Sequence, residues 1–161
     1  MKFVKFFFSG VLLLYFQILI APKMAILEVV PFFLIPYVIF ISVNQNLLEA
    51  GIITFLLGLS FDLINPILLG AHTLLLLSLC YIVNRYHTTV TKDKFVPLLI
   101  NIIILNVLYL IPLIFIRTVI IEFKVSVFYL FFVELVYNVV ITMGSLYLFI
   151  ILYKLKIVID V

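Results

Sequence analysis

The sequence predicts an all-α fold, a polytopic membrane bundle of six transmembrane helices forming a single integral-membrane domain over 1–161. Three observations predict it. The chain is 68% hydrophobic and 11% charged over 161 residues, whereas soluble domains carry about 25% charged residues. A soluble fold of this size leaves roughly 30% of its unfolded area in water, too little room to hide such an apolar excess, so the surplus faces lipid. The apolar residues fall into six runs parted by short polar breaks, and lysine and arginine are unevenly shared between the two sets of breaks.

A crossing helix needs about 20 mostly apolar residues. Phe3 to Ala21 is the first run and ends at Pro22-Lys23. It is expected to be retained rather than cleaved, because Leu19-Ile20-Ala21 lacks the small-x-small pattern of a signal-peptide site. Ala25 to Val43 is the second, with Glu28 near its start and prolines at 31 and 36; the polar turn Asn44-Gln45-Asn46 closes it. Leu47 to Leu63 is the third. Asn65-Pro66 then reads as a helix start, Asn as the cap and Pro at the first helical position, opening a fourth run to about Asn84. Arg85 to Lys94 is a polar loop. Phe95 to Ile116 is the fifth helix, with a kink expected near Pro112. A mixed-charge connection from Arg117 to Ser126 leads to the sixth, Val127 to Tyr153.

Orientation follows from the basic residues. With the N-terminus inside, the cytoplasmic side receives Lys2, Lys5, Arg85, Lys92, Lys94, Lys154 and Lys156, and the outer side Lys23, Arg117 and Lys124. Seven against three places both termini in the cytoplasm. The 85–94 loop and the Lys154/Lys156 tail suit anionic lipid, at about 1 kcal/mol per basic residue. A formal charge of +3 is too small for a nucleic-acid partner, and the lone Cys80 excludes a disulfide framework.

An ionisable group in hydrocarbon costs about 2.5 to 3.5 kcal/mol on insertion scales, so each marks a candidate site. Asp62 ends the third helix, with Gly51, Thr54 and Gly58 on the same side at helical spacing. Small residues there admit a close neighbour. Asp62 either caps the fourth helix or meets a partner or ligand. His72 lies about two turns into the fourth run, with no second histidine at metal-ligand spacing, and reads as a buried residue bonded to a neighbouring helix. Glu134, Asn138, Thr142 and Ser145 form a polar seam on the sixth helix that belongs in the bundle interior or a water-lined cavity. Asp62, His72 and Glu134 are expected to approach one another in the outer half of the membrane. Asn101 and Asn106, about 140° apart around the fifth helix, serve separate interhelical contacts. No HExxH, phosphate loop, GxSxG or acidic cluster is present, so no catalytic, metal or cofactor site is expected.

From Gly58 to Leu74 the chain reads GLSFDLINPILLGAHTL. This stretch resembles the signature of the MreD family, small rod-shape-determining membrane proteins of bacteria. That signature is a Gly-Leu-x-x-Asp-Leu run, then a Gly eight residues after the Asp, then Leu or Ala, His, Ala or Thr, and Leu. Gly58, Leu59, Asp62, Leu63, Leu69, Gly70, His72 and Leu74 fit these places, while Pro66 stands where the family often has a second glycine. The resemblance implies a non-enzymatic scaffold of the cell-wall elongation machinery in the cytoplasmic membrane, needing no cofactor. Its implied partners are an MreC-like bitopic protein, RodA with its transpeptidase partner, and MreB filaments. It also implies a fold similar to the substrate-binding components of energy-coupling-factor vitamin transporters. The partner surface is expected on the Gly51/Thr54/Gly58 face and the turn from Asp62 to Gly70. The competing readings are a vitamin-type substrate-binding subunit of a transporter, which needs an outward-open cavity, and an intramembrane enzyme, which nothing in the sequence favours.

Overall fold

A computed structural model describes residues 2–64, 66–86, 95–121 and 126–159. Among these the chain forms six α-helices: α1 (Lys2–Leu19), α2 (Leu34–Asn44), α3 (Leu47–Ile64), α4 (Ala71–Arg85), α5 (Phe95–Ile121) and α6 (Ser126–Ile159). Short 3-10 turns occupy Ala21–Met24 and Pro66–Leu68. The loop residues 87–94, Asn65 and the connection at 122–125 lie outside the described residues.

Three helices are long and apolar enough to cross a membrane, through Leu47–Ile64, Leu98–Thr118 and Tyr129–Tyr153. The other three are apolar but shorter. The outward surface is apolar as well: Phe8, Leu12, Leu48, Phe115 and Tyr147 are all exposed. Contiguous apolar surface of this kind suits lipid rather than water.

α2 is the axis of the bundle. Every residue from Leu34 to Ser42 is buried, and the helix packs against α1, α3, α4 and α6. Its apolar side chains join Ile53 and Leu57 of α3, Leu76 and Leu79 of α4, and Ile102, Tyr109, Leu110 and Leu113 of α5 in one core. A helix apolar all round is a helix enclosed on all sides.

The second element departs from the expected Ala25–Val43 helix, since α2 begins only at Leu34. At about 1.5 Å per residue its 11 residues cover roughly 16 Å, about half of a 30 Å hydrocarbon layer. Pro36 explains the late start: it sits in the first turn, where its missing N–H breaks no helical bond. Upstream, Ile26 and Val29 exchange backbone hydrogen bonds of 3.0 and 2.9 Å around a tight turn. The turn holds Leu27 and Glu28 at φ 51° and 67°, left-handed values that side chains resist.

Irregular backbone packed within a protein needs its polar groups satisfied, and side chains of α1 and α6 do this. The Gln17 amide donates to the Pro31 carbonyl at 3.0 Å and accepts from the Phe33 N–H at 2.7 Å. Asn138 Oδ1 accepts from the Phe32 N–H at 2.9 Å, and the Tyr137 hydroxyl donates to the Met24 carbonyl at 2.6 Å.

The fourth helix also starts later than the Asn65-Pro66 signal suggests. Pro66 opens only a 3-10 turn, and Gly70 at φ 86° interrupts the chain before α4 begins at Ala71. α5 runs on to Ile121, so Arg117 belongs to its last turns rather than to a connection. Lys154 and Lys156 lie on the helical end of α6, not on an irregular tail.

Candidate functional site

Asp62, His72, Arg117 and Glu134 gather at one end of the bundle, and Asp62 is the most engaged of them. It is fully buried at the end of α3. Its Oδ1 accepts from the His72 N–H at 3.3 Å, and its Oδ2 accepts from the Thr73 N–H at 2.9 Å and the Thr73 hydroxyl at 2.5 Å. The first N–H groups of a helix have no partner within it, and Gly70, the residue at the cap position, has no side chain to offer. Asp62 therefore caps α4 from a neighbouring helix, its charge set against the positive end of the α4 dipole. Gly58, one turn earlier, allows the approach: a Cβ there would stand 2.8 Å from the Thr73 Cα.

His72 turns its ring the other way. Its Nδ1 lies 2.6 Å from the buried Tyr109 hydroxyl of α5. Phe61 meets the imidazole edge-on at 5.0 Å, and Phe32 tilts over it at 5.5 Å while stacking on Tyr109 at 5.3 Å. Four aromatic rings from the irregular 25–33 segment, α3, α4 and α5 thus form one cluster.

The cluster lines one side of a cavity of about 470 Å³. Gln17, Arg117 and Glu134 supply its polar lining, and the exposed Val30, Ile64 and Pro66 lie along its mouth. Arg117 Nη1 contacts Glu134 Oε2 at 3.3 Å, tying α5 to α6, with the arginine side chain 39% exposed and the glutamate 13%.

The rest of the α6 seam points into the protein. Asn138 and Thr142 are buried and Ser145 is half-buried. Asn106 Nδ2 donates to the Ile102 carbonyl of its own helix at 2.9 Å and reaches Thr142 Oγ1 at 3.4 Å. Among the described residues, Asn106 Oδ1 and Asn138 Nδ2 have no partner. No group of three or more His, Cys, Asp or Glu residues suited to a metal ion occurs among the described residues.

A family model described as rod shape-determining protein MreD matches residues 1–157. The chain belongs to the MreD family. No curated protein and no solved structure matches it. Membership makes this a membrane protein of cell-shape determination, in a family of shape-determining rather than known enzymatic proteins.

The geometry sorts the residues singled out in this MreD-family sequence. His72 and Glu134 line one cavity, while Asp62 reaches only the backbone of His72 and faces α4. The small-residue face divides. Gly58 is filled by α4 and Thr54 is fully buried, so neither presents a surface to a partner, whereas nothing stands within 4 Å of a Cβ at Gly51. Gly70 is used for its left-handed φ.

Three important residues escape sequence reasoning: Gln17, Phe32 and Tyr109. Gln17 has a detectable signal, a lone amide deep in an otherwise apolar run. Tyr109 has one too, a hydroxyl mid-helix and far from either interface. Phe32 has none, since its place depends on backbone bonds made from α6.

Proposed function

We propose that the chain is a non-enzymatic scaffold subunit of the cell-wall elongation complex. It crosses the bacterial cytoplasmic membrane six times with both termini inside, each short helix completing its passage with adjoining irregular backbone. The family match over residues 1–157 carries this reading. The way the polar groups are used agrees with it: Asp62, Gln17 and Asn138 spend their hydrogen bonds on backbone of the same chain, as fits a body that presents surfaces rather than performing chemistry. The partner surface is the turn from Asp62 to Gly70, where Leu63, Ile64 and Leu69 stand exposed, together with the open side of α3 at Gly51. Its partner is an MreC-like bitopic protein, with RodA and its transpeptidase further out and MreB filaments on the cytoplasmic side.

Depletion in a rod-shaped host is the test. Cells should round up, and the tagged protein should capture an MreC-like protein that a Leu69→Lys variant, present at the normal level, fails to capture. Normal shape on depletion overturns the proposal. The cavity favours a second reading, a substrate-binding transporter subunit; saturable uptake of a vitamin-type metabolite that depends on this chain would establish it instead.

A further inference from the structure

The cavity at the polar end carries a recognition pattern that a scaffold role does not use. Its formally charged lining residues are Arg117 and Glu134, one of each sign. They meet through a single contact of 3.3 Å, not the two-pronged pairing that arginine often makes with carboxylates. Among the described residues Glu134 is the one hydrogen-bond partner of Arg117, and a guanidinium has five donors. Gln17 also lines the cavity, but both ends of its amide are engaged with the 31–33 backbone. Phe32, Phe61 and Tyr109 line the same space, and aromatic rings attract ammonium groups. The volume of about 470 Å³ falls within the roughly 300–1,000 Å³ typical of ligand sites.

We propose that this cavity binds a zwitterionic head, an anionic group seated on Arg117 with an ammonium beside it on Glu134 and the aromatic faces. The ligand opens the Arg117–Glu134 contact and replaces it with two of its own, so the cavity stays neutral. A phosphatidylethanolamine headgroup entering from the membrane and a soluble zwitterion such as phosphoethanolamine share this chemistry. The site is independent of the scaffold reading, because a scaffold and a transporter subunit can each hold such a ligand.

Full-length protein in dodecyl maltoside is titrated with dihexanoylphosphatidylethanolamine, with dihexanoylphosphatidylglycerol (the same chains without an ammonium) and with phosphoethanolamine. Calorimetry and thermal unfolding follow the binding. The ethanolamine lipid should bind saturably and about tenfold or more tightly than the glycerol lipid, the worth of one charged hydrogen bond. Glu134→Gln should abolish that preference, and Arg117→Gln should weaken both lipids. Comparable binding of phosphoethanolamine assigns the site to a soluble zwitterion; binding of the lipid alone assigns it to the membrane. The exchange Arg117→Glu with Glu134→Arg keeps the internal bridge and hence the fold, and should lose the preference. Equal binding of both lipids by the unmodified protein overturns the proposal, as does an absence of saturable binding. An exchange variant that melts and binds like the original overturns it too.

Discussion

Between α3 and α4 a carboxylate meets three donors, and a glycine lets one backbone approach the other. Between α5 and α6 an asparagine reaches a threonine at 3.4 Å and leaves its own oxygen unpartnered, and a half-buried arginine touches a glutamate once. The first seam allows little alternative, because two N–H groups in the first turn of α4 and the Thr73 hydroxyl all point at Asp62. The second has slack, and the cavity opens beside it. Gly58, Asp62, Gly70 and His72, which carry the family resemblance, are the residues that fix α4 on α3 and tie it to Tyr109 of α5. The signature stretch is thus mainly architecture. On the proposals made above, recognition falls to the exposed turn within that stretch and to the cavity.

The contrast breaks most visibly at Asp62. Asp62→Ala leaves the His72 and Thr73 N–H groups and the Thr73 hydroxyl without an acceptor in a buried seam. At roughly 1 kcal/mol or more for each orphaned donor, stability should fall by about 3 kcal/mol. Chemical unfolding in detergent, followed by circular dichroism, reads this directly, and an unchanged midpoint would contradict the cap.

A smaller loss is expected from Gly58→Ala, about 2 kcal/mol, because the added methyl meets backbone that cannot swing aside. Gly51→Ala is its control: in open space the same change should be neutral or stabilise by up to about 1 kcal/mol, as helix propensity dictates. Equal effects at the two glycines would remove the distinction between them.

The smallest effect belongs to the looser seam. Asn106→Leu removes an oxygen that has no partner, a second bond to the Ile102 carbonyl of its own helix, and a 3.4 Å contact to Thr142, whose hydroxyl can turn to a carbonyl of its own helix. Stability should change by less than about 1 kcal/mol in the same unfolding assay. A loss as large as that at Asp62 would mean the two seams are equally committed.

Hydropathy makes α3, α5 and α6 legible, because a long apolar run between polar breaks reports how much surface must leave water. It is silent on hydrogen bonding, and there the elements shift. Residues 25–33 are as apolar as the helix that follows, yet Pro31 and Pro36 and the distant amides of Gln17 and Asn138 settle them into irregular backbone. Asn65-Pro66 is a sound local start signal that loses to a cap from another helix and to the left-handed Gly70. Within the candidate site, the isolated charges Asp62, His72 and Glu134 are visible because hydrocarbon makes each one costly. That Tyr109 and Arg117 are their partners is not, since which faces of α4, α5 and α6 meet is decided by packing across the whole bundle.

The bond from the Phe32 N–H to Asn138 bears on the order in which the protein is assembled. Its two ends are 106 residues apart, and the neighbouring tie from Tyr137 to Met24 is just as distant in sequence. Both reach from α6 back to a segment synthesised well before it. While α2 through α5 are being made, Phe32 and Met24 have polar backbone groups waiting for a helix not yet synthesised. The arrival of α6 is therefore the latch that closes the bundle, and the cavity it shares with α4 and α5 takes its final shape only at that moment.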